Sequence, residues 1–210
     1  GDGEQFQRIS VGSAQGDTQV AAYDVELLSR NTATNNILHY DAQLGFFDGS
    51  NPGGPSGGTF AGDIWVNAVN DVRVLGGSNG RSWAQIGHGG NVENNSGGSS
   101  YTGDITVAAG NDVQVHAPDL VIGGFRSYAQ IGHGGAGNGG NHSGTIDIDA
   151  GNNVSLAGAV GGNYAYAQIG HGGVFANGNL TGLIDVNAGN AVLFAGSNSN
   201  NSYTQIGHGG

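Results

Sequence analysis

The chain has 210 residues, 44 of them Gly, and its five Arg face sixteen acids with no Lys, for a net charge of −11. So much Gly excludes a helical bundle, because each Gly in a helix costs about 1 kcal/mol against Ala. The acidic balance excludes nucleic acid as a partner, since phosphates need a basic surface, and no apolar run nears the ~18 residues of a membrane span.

Cys is absent, which removes a disulfide framework, thiolate metal sites and a Cys nucleophile. Met is absent too, so the sequence reads as a processed chain or an excerpt of a longer one. Residues 1–16 are irregular and read as a partial cap or a diverged coil. From Asp17 to Leu44 there is no Gly. Val20, Tyr23, Leu27 and Leu28 in that run make either a helical stripe or strands, and DTQVAAYDVELL at 17–28 aligns with strand-like blocks downstream.

Those blocks read GDIWVNAVNDVRV at 62–74, GDITVAAGNDVQV at 103–115, GTIDIDAGNNVSL at 144–156 and GLIDVNAGNAVLF at 182–194. Apolar residues alternate in each: Ile64, Val66 and Ala68 recur as Ile105, Val107 and Ala109, as Ile146, Ile148 and Ala150, and as Ile184, Val186 and Ala188. Between them lie mostly polar residues, among them Asn67, Thr106, Asp147, Asp149, Asp185 and Asn187. A period of two with one apolar face is a half-buried strand. Gly-Asn or Asn-Asp corners follow, suited to positive φ. A second short alternation comes next, at Val72 and Val74 in the first of these blocks.

After each block comes QIGHGG, at 85–90, 130–135, 168–173 and 205–210, with a weaker copy AQLGFFDG at 42–49. Aligned on Gln43, Gln85, Gln130, Gln168 and Gln205, the chain is five tandem units. Residues 1–60 hold the diverged first repeat and the N-terminal part of the solenoid, and 61–210 hold four regular repeats. Length differences fall in Gly-, Ser- and Asn-rich stretches (75–82, 116–127, 157–165 and 195–202), which read as surface loops on a fixed strand core. The QIGHGG half overlays the upstream half, with Ala167, Ile169 and Val174 matching Ile146, Ile148 and Val154 in spacing. Each unit therefore predicts about two coils, and nine or ten coils stacked ~4.8 Å apart make a rod of about 45 Å. The fold class is all-β, a β-solenoid. A β-propeller is the rival, but no Trp-Asp dipeptide closes a repeat and a unit shows about three strands where a blade needs four.

Several columns carry the chemistry. His88, His133, His171 and His208 suggest a metal column. With two coils per unit, however, they stand ~9.6 Å apart, too far for shared Zn ligation. The structural reading is a tight corner, Gly87-His88-Gly89-Gly90 and its copies at Gly132, Gly170 and Gly207, whose imidazole bonds backbone. Trp83, Tyr128, Tyr166 and Tyr203 form an aromatic column, either a platform for stacking glycans or a cover over small residues. In AQI the Ala and Ile point inward and the Gln outward, and Gln85, Gln130, Gln168 and Gln205 predict an amide ladder between coils. Arg81 and Arg126 share a column, and polysaccharide lyases on β-helices use such a base beside acidic calcium ligands. Here Asp147, Asp149 and Asp185 recur with the repeat, whereas an active site breaks the pattern. No catalytic residue, cofactor or metal is assigned.

The block G-x-I-x-V-x-A-G-N-x-V-x-L followed by YAQIGHGG resembles the repeats of filamentous-haemagglutinin-like exoproteins, the large adhesins of bacterial two-partner secretion, over residues 60–210. The resemblance implies a right-handed parallel β-helix at the bacterial surface or outside the cell, serving adhesion or matrix. Its partners would be neighbouring coils of the same or an identical chain, end to end, and host or matrix glycans. A glycan-binding or polysaccharide-cleaving β-helix is the alternative. The last motif, Gln205 to Gly210, lacks a capping helix, charge cluster or Pro, so a further coil is expected to stack on it.

Overall fold

The computed structural model describes residues 5–29, 38–47, 57–92, 98–118, 126–198 and 200–210. Every helix-or-strand element among them is a strand. β1 (Gln5–Val11) leads into β2 (Thr18–Ala22), β3 (Val25–Leu28) and β4 (Leu38–Leu44). The next unit holds β5 (Thr59–Ala61), β6 (Ile64–Ala68), β7 (Val72–Leu75) and β8 (Trp83–Ile86). Then come β9 (Ser100–Thr102), β10 (Ile105–Ala109), β11 (Val113–His116) and β12 (Tyr128–Ile131). The fourth unit has β13 (His142–Ser143), β14 (Ile146–Ala150), β15 (Asn153–Ala157) and β16 (Tyr166–Ile169). The fifth has β17 (Leu180–Thr181), β18 (Ile184–Ala188), β19 (Ala191–Ala195) and β20 (Tyr203–Ile206).

These strands stack into four parallel sheets, the arrangement of a parallel β-helix. Sheet I runs β1-β4-β8-β12-β16-β20, sheet II β2-β6-β10-β14-β18, sheet III β3-β7-β11-β15-β19 and sheet IV β5-β9-β13-β17. The Gly-free run that allowed a helix forms, among its described residues, strands β2, β3 and β4.

Each unit is one coil, which corrects the expectation of two. Strands pair with their equivalents one full repeat away: Gln85 with Gln130, Gln130 with Gln168, Ile105 with Ile146. Sheet I, the deepest stack, has six strands, so it rises about 24 Å at ~4.8 Å per strand. The internal likeness of the two halves misled because spacing alone does not show which compartment a residue fills. Ala167 and Ile169 enter the main core, but Val174 packs in a second cluster with Trp83, Tyr128 and Tyr166.

Alternation decides the main core. On β14, Ile146, Ile148 and Ala150 are buried while Asp149 is exposed and Asp147 half-buried. Sheets I, II and III together enclose one cluster, to which Ile64, Val72 and Ile86 each belong. Replacing Ile148, fully buried between Val107 and Val186, by Asp places an unpaired carboxylate there. We expect the variant to lose several kcal/mol, about half of a typical domain's stability. A thermal transition unchanged from wild type would show that the register is wrong.

Two side-chain ladders at the corners were not foreseen. At the entry to sheet II, Asp17 accepts the Asp63 N–H, Asp63 that of Asp104, and Asp104 that of Thr145, at 2.7–3.0 Å. Between sheets II and III, Asp24 accepts from Asn70 and the Asp71 N–H, Asp71 from Asn111 and the Asp112 N–H, and Asp112 from Asn152 and the Asn153 N–H. The signal was in the sequence, as Asp after Gly and as Asn-Asp after the strand. Its use is to satisfy backbone N–H groups that the turn leaves without a strand partner.

Candidate functional site: the stacked motif columns

The motif Gln-Ile-Gly-His-Gly-Gly becomes legible once its neighbours one coil away are known. Ile86, Ile131 and Ile169 fill the main core with Ala84, Ala129 and Ala167. The other face of the same strand is buried too, and this corrects the outward assignment of Gln. Gln85, Gln130 and Gln168 are fully buried. Gln85 Nε2 donates to Gly132 O at 2.8 Å and Gly134 O at 2.7 Å. Gln130 does the same to Gly170 O and Gly172 O at 2.9 and 2.7 Å, and Gln168 to Gly207 O and Gly209 O at 2.9 and 3.1 Å. The expected amide-to-amide ladder is therefore replaced by a clamp from each amide onto two glycine carbonyls of the next coil. Gln205 Nε2, in the fifth unit, donates to His208 O at 3.4 Å.

The Gln oxygen serves the aromatic column. Tyr128 Oη donates to Gln85 Oε1, Tyr166 to Gln130 and Tyr203 to Gln168, at 3.0–3.3 Å. In the second unit Trp83 brings a ring without a hydroxyl, and Gln43 Oε1 below it is buried with no hydrogen-bond partner. The rings Trp83, Tyr128, Tyr166 and Tyr203 stack at 4.7–5.6 Å, within 7° of parallel. Trp83, Tyr128 and Tyr166 are at most 1% exposed. At Trp83, Tyr128 and Tyr166 a sugar has no ring face to stack on, so the glycan platform is corrected there; Tyr203 is half-buried. Burial, with its stacked neighbours Tyr128 and Tyr203, pushes the Tyr166 hydroxyl well above its usual range, so it stays a donor.

The histidines fill a third column. His88, His133, His171 and His208 stack ring on ring at 4.9–5.0 Å, half of the spacing expected from two coils per unit. At this spacing distance alone does not exclude a shared metal, but the hydrogen bonds of the rings do. The His88 backbone N–H donates to His133 Nδ1 at 3.0 Å, His133 to His171 at 3.0 Å and His171 to His208 at 3.1 Å. On the far side of each ring, Nε2 lies 2.9, 2.8, 2.9 and 3.1 Å from the carbonyls of Gly62, Gly103, Gly144 and Gly182. A carbonyl only accepts and an N–H only donates, so the network assigns each ring the neutral Nε2–H tautomer. Its one lone pair is already used, so these residues do not fit a metal. Burial holds His88 and His133 below the ordinary imidazole range and His171 down to about 4. Among the described residues no group of three or more His or carboxylate side chains is placed to hold an ion.

Each glycine of the motif has its own reason. A Cβ on Gly87 would lie 1.9 Å from Gly132 O, and one on Gly132 2.0 Å from Gly170 O, so the first glycine sets coil-to-coil contact. A Cβ on Gly134 would meet the His142 ring, and one on Gly172 the Leu180 side chain. The second glycine thus admits the inward column Phe60, Tyr101, His142 and Leu180 of sheet IV. The third clears the tyrosine hydroxyl, as Gly135 does for Tyr128 and Gly173 for Tyr166. In the first unit Phe46 and Phe47 replace His and Gly. Phe46 donates its N–H to His88 Nδ1, and the Phe47 ring lies 5.7 Å from Trp83, in place of the missing aromatic at Asp41.

The residues considered for catalysis do not meet. Arg81 and Arg126 sit at the corner before sheet I, two residues ahead of Trp83 and Tyr128. Asp147, Asp149 and Asp185 line the outer face of sheet II, where partial burial, then Asp149 and Asp185, raise the Asp147 pKa. No helix among the described residues is long and apolar enough to cross a membrane. No protein-family model, curated protein or solved structure matches the chain.

Proposed function

We propose that this chain is a structural stalk or filament segment of a secreted bacterial surface adhesin or extracellular fibre, acting in adhesion or matrix formation. One observation carries the reading: each coil's polar interior is completed by the coil above it. The Gln amides and His backbone N–H groups donate from each unit to the next, and the Asp ladders accept N–H groups donated back from the next unit, so the same bonds tie every consecutive pair. Such a column extends a rod by any number of units without new chemistry. Nothing in it needs a substrate. The sequence resemblance to large exoprotein repeats supports the surface location, and the absence of Cys suits export.

Neighbouring coils, of the same or an identical chain, are the partners this reading requires. In the fifth unit the core-facing Val192 and Phe194 are 41% and 54% exposed, and Ile9 and Val11 beside β4 are 72% and 52% exposed. Analytical ultracentrifugation of the 210-residue chain should show growth with concentration, and negative-stain images should show rods lengthening end to end. Strictly monomeric particles at every concentration would remove the end-to-end reading. Depolymerisation of an acidic polysaccharide in a turnover assay would remove the structural one.

A further inference from the structure

We propose that Arg81, Arg126 and Tyr164, together with Phe175, form a binding site for a glycan that carries sparse carboxylate groups. It is a ligand site on the side of the rod, and it stands or falls independently of the stalk reading.

Backbone conformation gives the first observation. Among the described residues, five that are not Gly have positive φ: Arg81 at 65°, Arg126 at 61°, Tyr164 at 59°, Phe175 at 63° and Asn201 at 53°. Four share one corner, two residues before each aromatic of sheet I. The Arg126 N–H donates to Asn163 O and the Tyr164 N–H to Asn200 O, so these corners lie directly on one another. Asn tolerates the left-handed region, as Asn201 does. Arg and Tyr adopt it only against the steric clash of their Cβ. Phe175 stands where the coil below has Gly137, whose φ is 73°. Large side chains thus occupy corners that other coils fill with Asn or Gly, and the strain points to use of the side chains.

Their chemistry is the second observation. The Arg126 Nη1 donates to Val92 O at 3.1 Å, and its guanidinium carbon lies 5.1 Å from the centre of the Phe175 ring. Phe175 in turn lies 4.7 Å from the Tyr164 ring, tilted by 48°, and is 42% exposed. Arg81 belongs to the same corner one coil below, about 4.8 Å away along the axis. In a chain with five Arg and no Lys, two cations and two aromatics gather on one edge.

The ligand follows from these groups. A guanidinium presents paired N–H donors that match the two oxygens of a carboxylate. Exposed aromatic faces pack on the apolar C–H face of a pyranose. The net charge of −11 repels a dense polyanion, which favours uronate residues separated by neutral sugars.

The test uses substitutions that the fold already accepts at these corners. Arg126→Asn and Tyr164→Asn copy Asn201, and Phe175→Gly copies Gly137. The chain is titrated by calorimetry with a hyaluronan octasaccharide and with its carboxyl-reduced derivative. Binding is expected at millimolar or tighter affinity. It should weaken at least tenfold on carboxyl reduction, and at least tenfold in Arg126→Asn and Phe175→Gly, with melting temperatures no lower than wild type. No binding, equal binding of the reduced sugar, or variants that bind as wild type would each overturn the proposal. Variants that melt lower yet bind normally would also overturn it, because the side chains would then serve the fold alone.

Discussion

Gly132→Ala is expected to cost about 3 kcal/mol or more, although it adds a single methyl group. The residue has φ of 152°, a region that is essentially Gly-only and costs about 1–3 kcal/mol for any other residue. The new Cβ would also lie 2.0 Å from Gly170 O, a backbone atom of the next coil that cannot swing aside. Relief would require coils three and four to separate, and overpacking of that kind costs about 1–3 kcal/mol more. Separation would also stretch the Gln130 clamp on Gly170 and Gly172. Gly196→Ala is the control: no atom lies within 4 Å of its Cβ position, and the change should stay within about 0.5 kcal/mol. Urea denaturation of both variants would measure this, and equal midpoints would show that the first glycine does not set coil contact.

Acid is expected to destabilise the rod through its buried histidines. An unfolded imidazole takes a proton near pH 6.5. In the fold, burial holds His171 down to about 4 and His142 to about 3, and it lowers His88 and His133 as well. Below pH 6.5 the unfolded chain therefore binds more protons than the folded one, so stability is complete above 6.5 and falls with pH towards 4. At 1.36 kcal/mol per unit, His171 alone removes about 3 kcal/mol by pH 4. The groups facing the column act both ways: its rings repel one another once charged and His142 lies near His133 and His171, whereas the Gly62, Gly103 and Gly144 carbonyls, and Asp63 beside His88, favour the charged form without offsetting burial. Free energies of unfolding at pH 7, 6, 5 and 4.5 should fall with a slope of two or more protons. A flat profile down to pH 4.5 would rule out this assignment of the column. His142→Phe tests the same point. Its ring packs beside Tyr101 and neither nitrogen is hydrogen-bonded, so the variant should lose one proton from the slope and gain stability at pH 5.

The strands of sheets II and III and the AQI strands of sheet I were readable in advance because their information is local, whereas the short strands of sheet IV, a fourth per unit where three were expected, were not. Ile146, Asp147, Ile148 and Asp149 alternate, and alternation alone separates a buried face from a wet one. The five units and the loop positions followed from Gln43, Gln85, Gln130, Gln168 and Gln205 in the same way. The number of coils per unit was not local. It depends on which strands pair, and Gln85 pairs with Gln130 across 45 residues rather than with anything in its own unit.

The motif columns show the same division more sharply. The sequence by itself determined that Gln, His, Gly and an aromatic recur at one place in each of the four regular repeats. Only the tertiary structure decided that both faces of that strand are buried. This turned Gln from an outward amide into a clamp, set the histidines as neutral acceptors at strand spacing, and decided between the two readings of the aromatics in favour of a buried cover, a second core. The physical reason is that a period of two reports only that the two faces differ. It does not report what covers the second face. Here the cover comes from the segments after GHGG, where Ala136 and Val174 close over the aromatic column. Their Gly-rich sequence carries no period of its own, so their placement depends on the carbonyls and rings they meet.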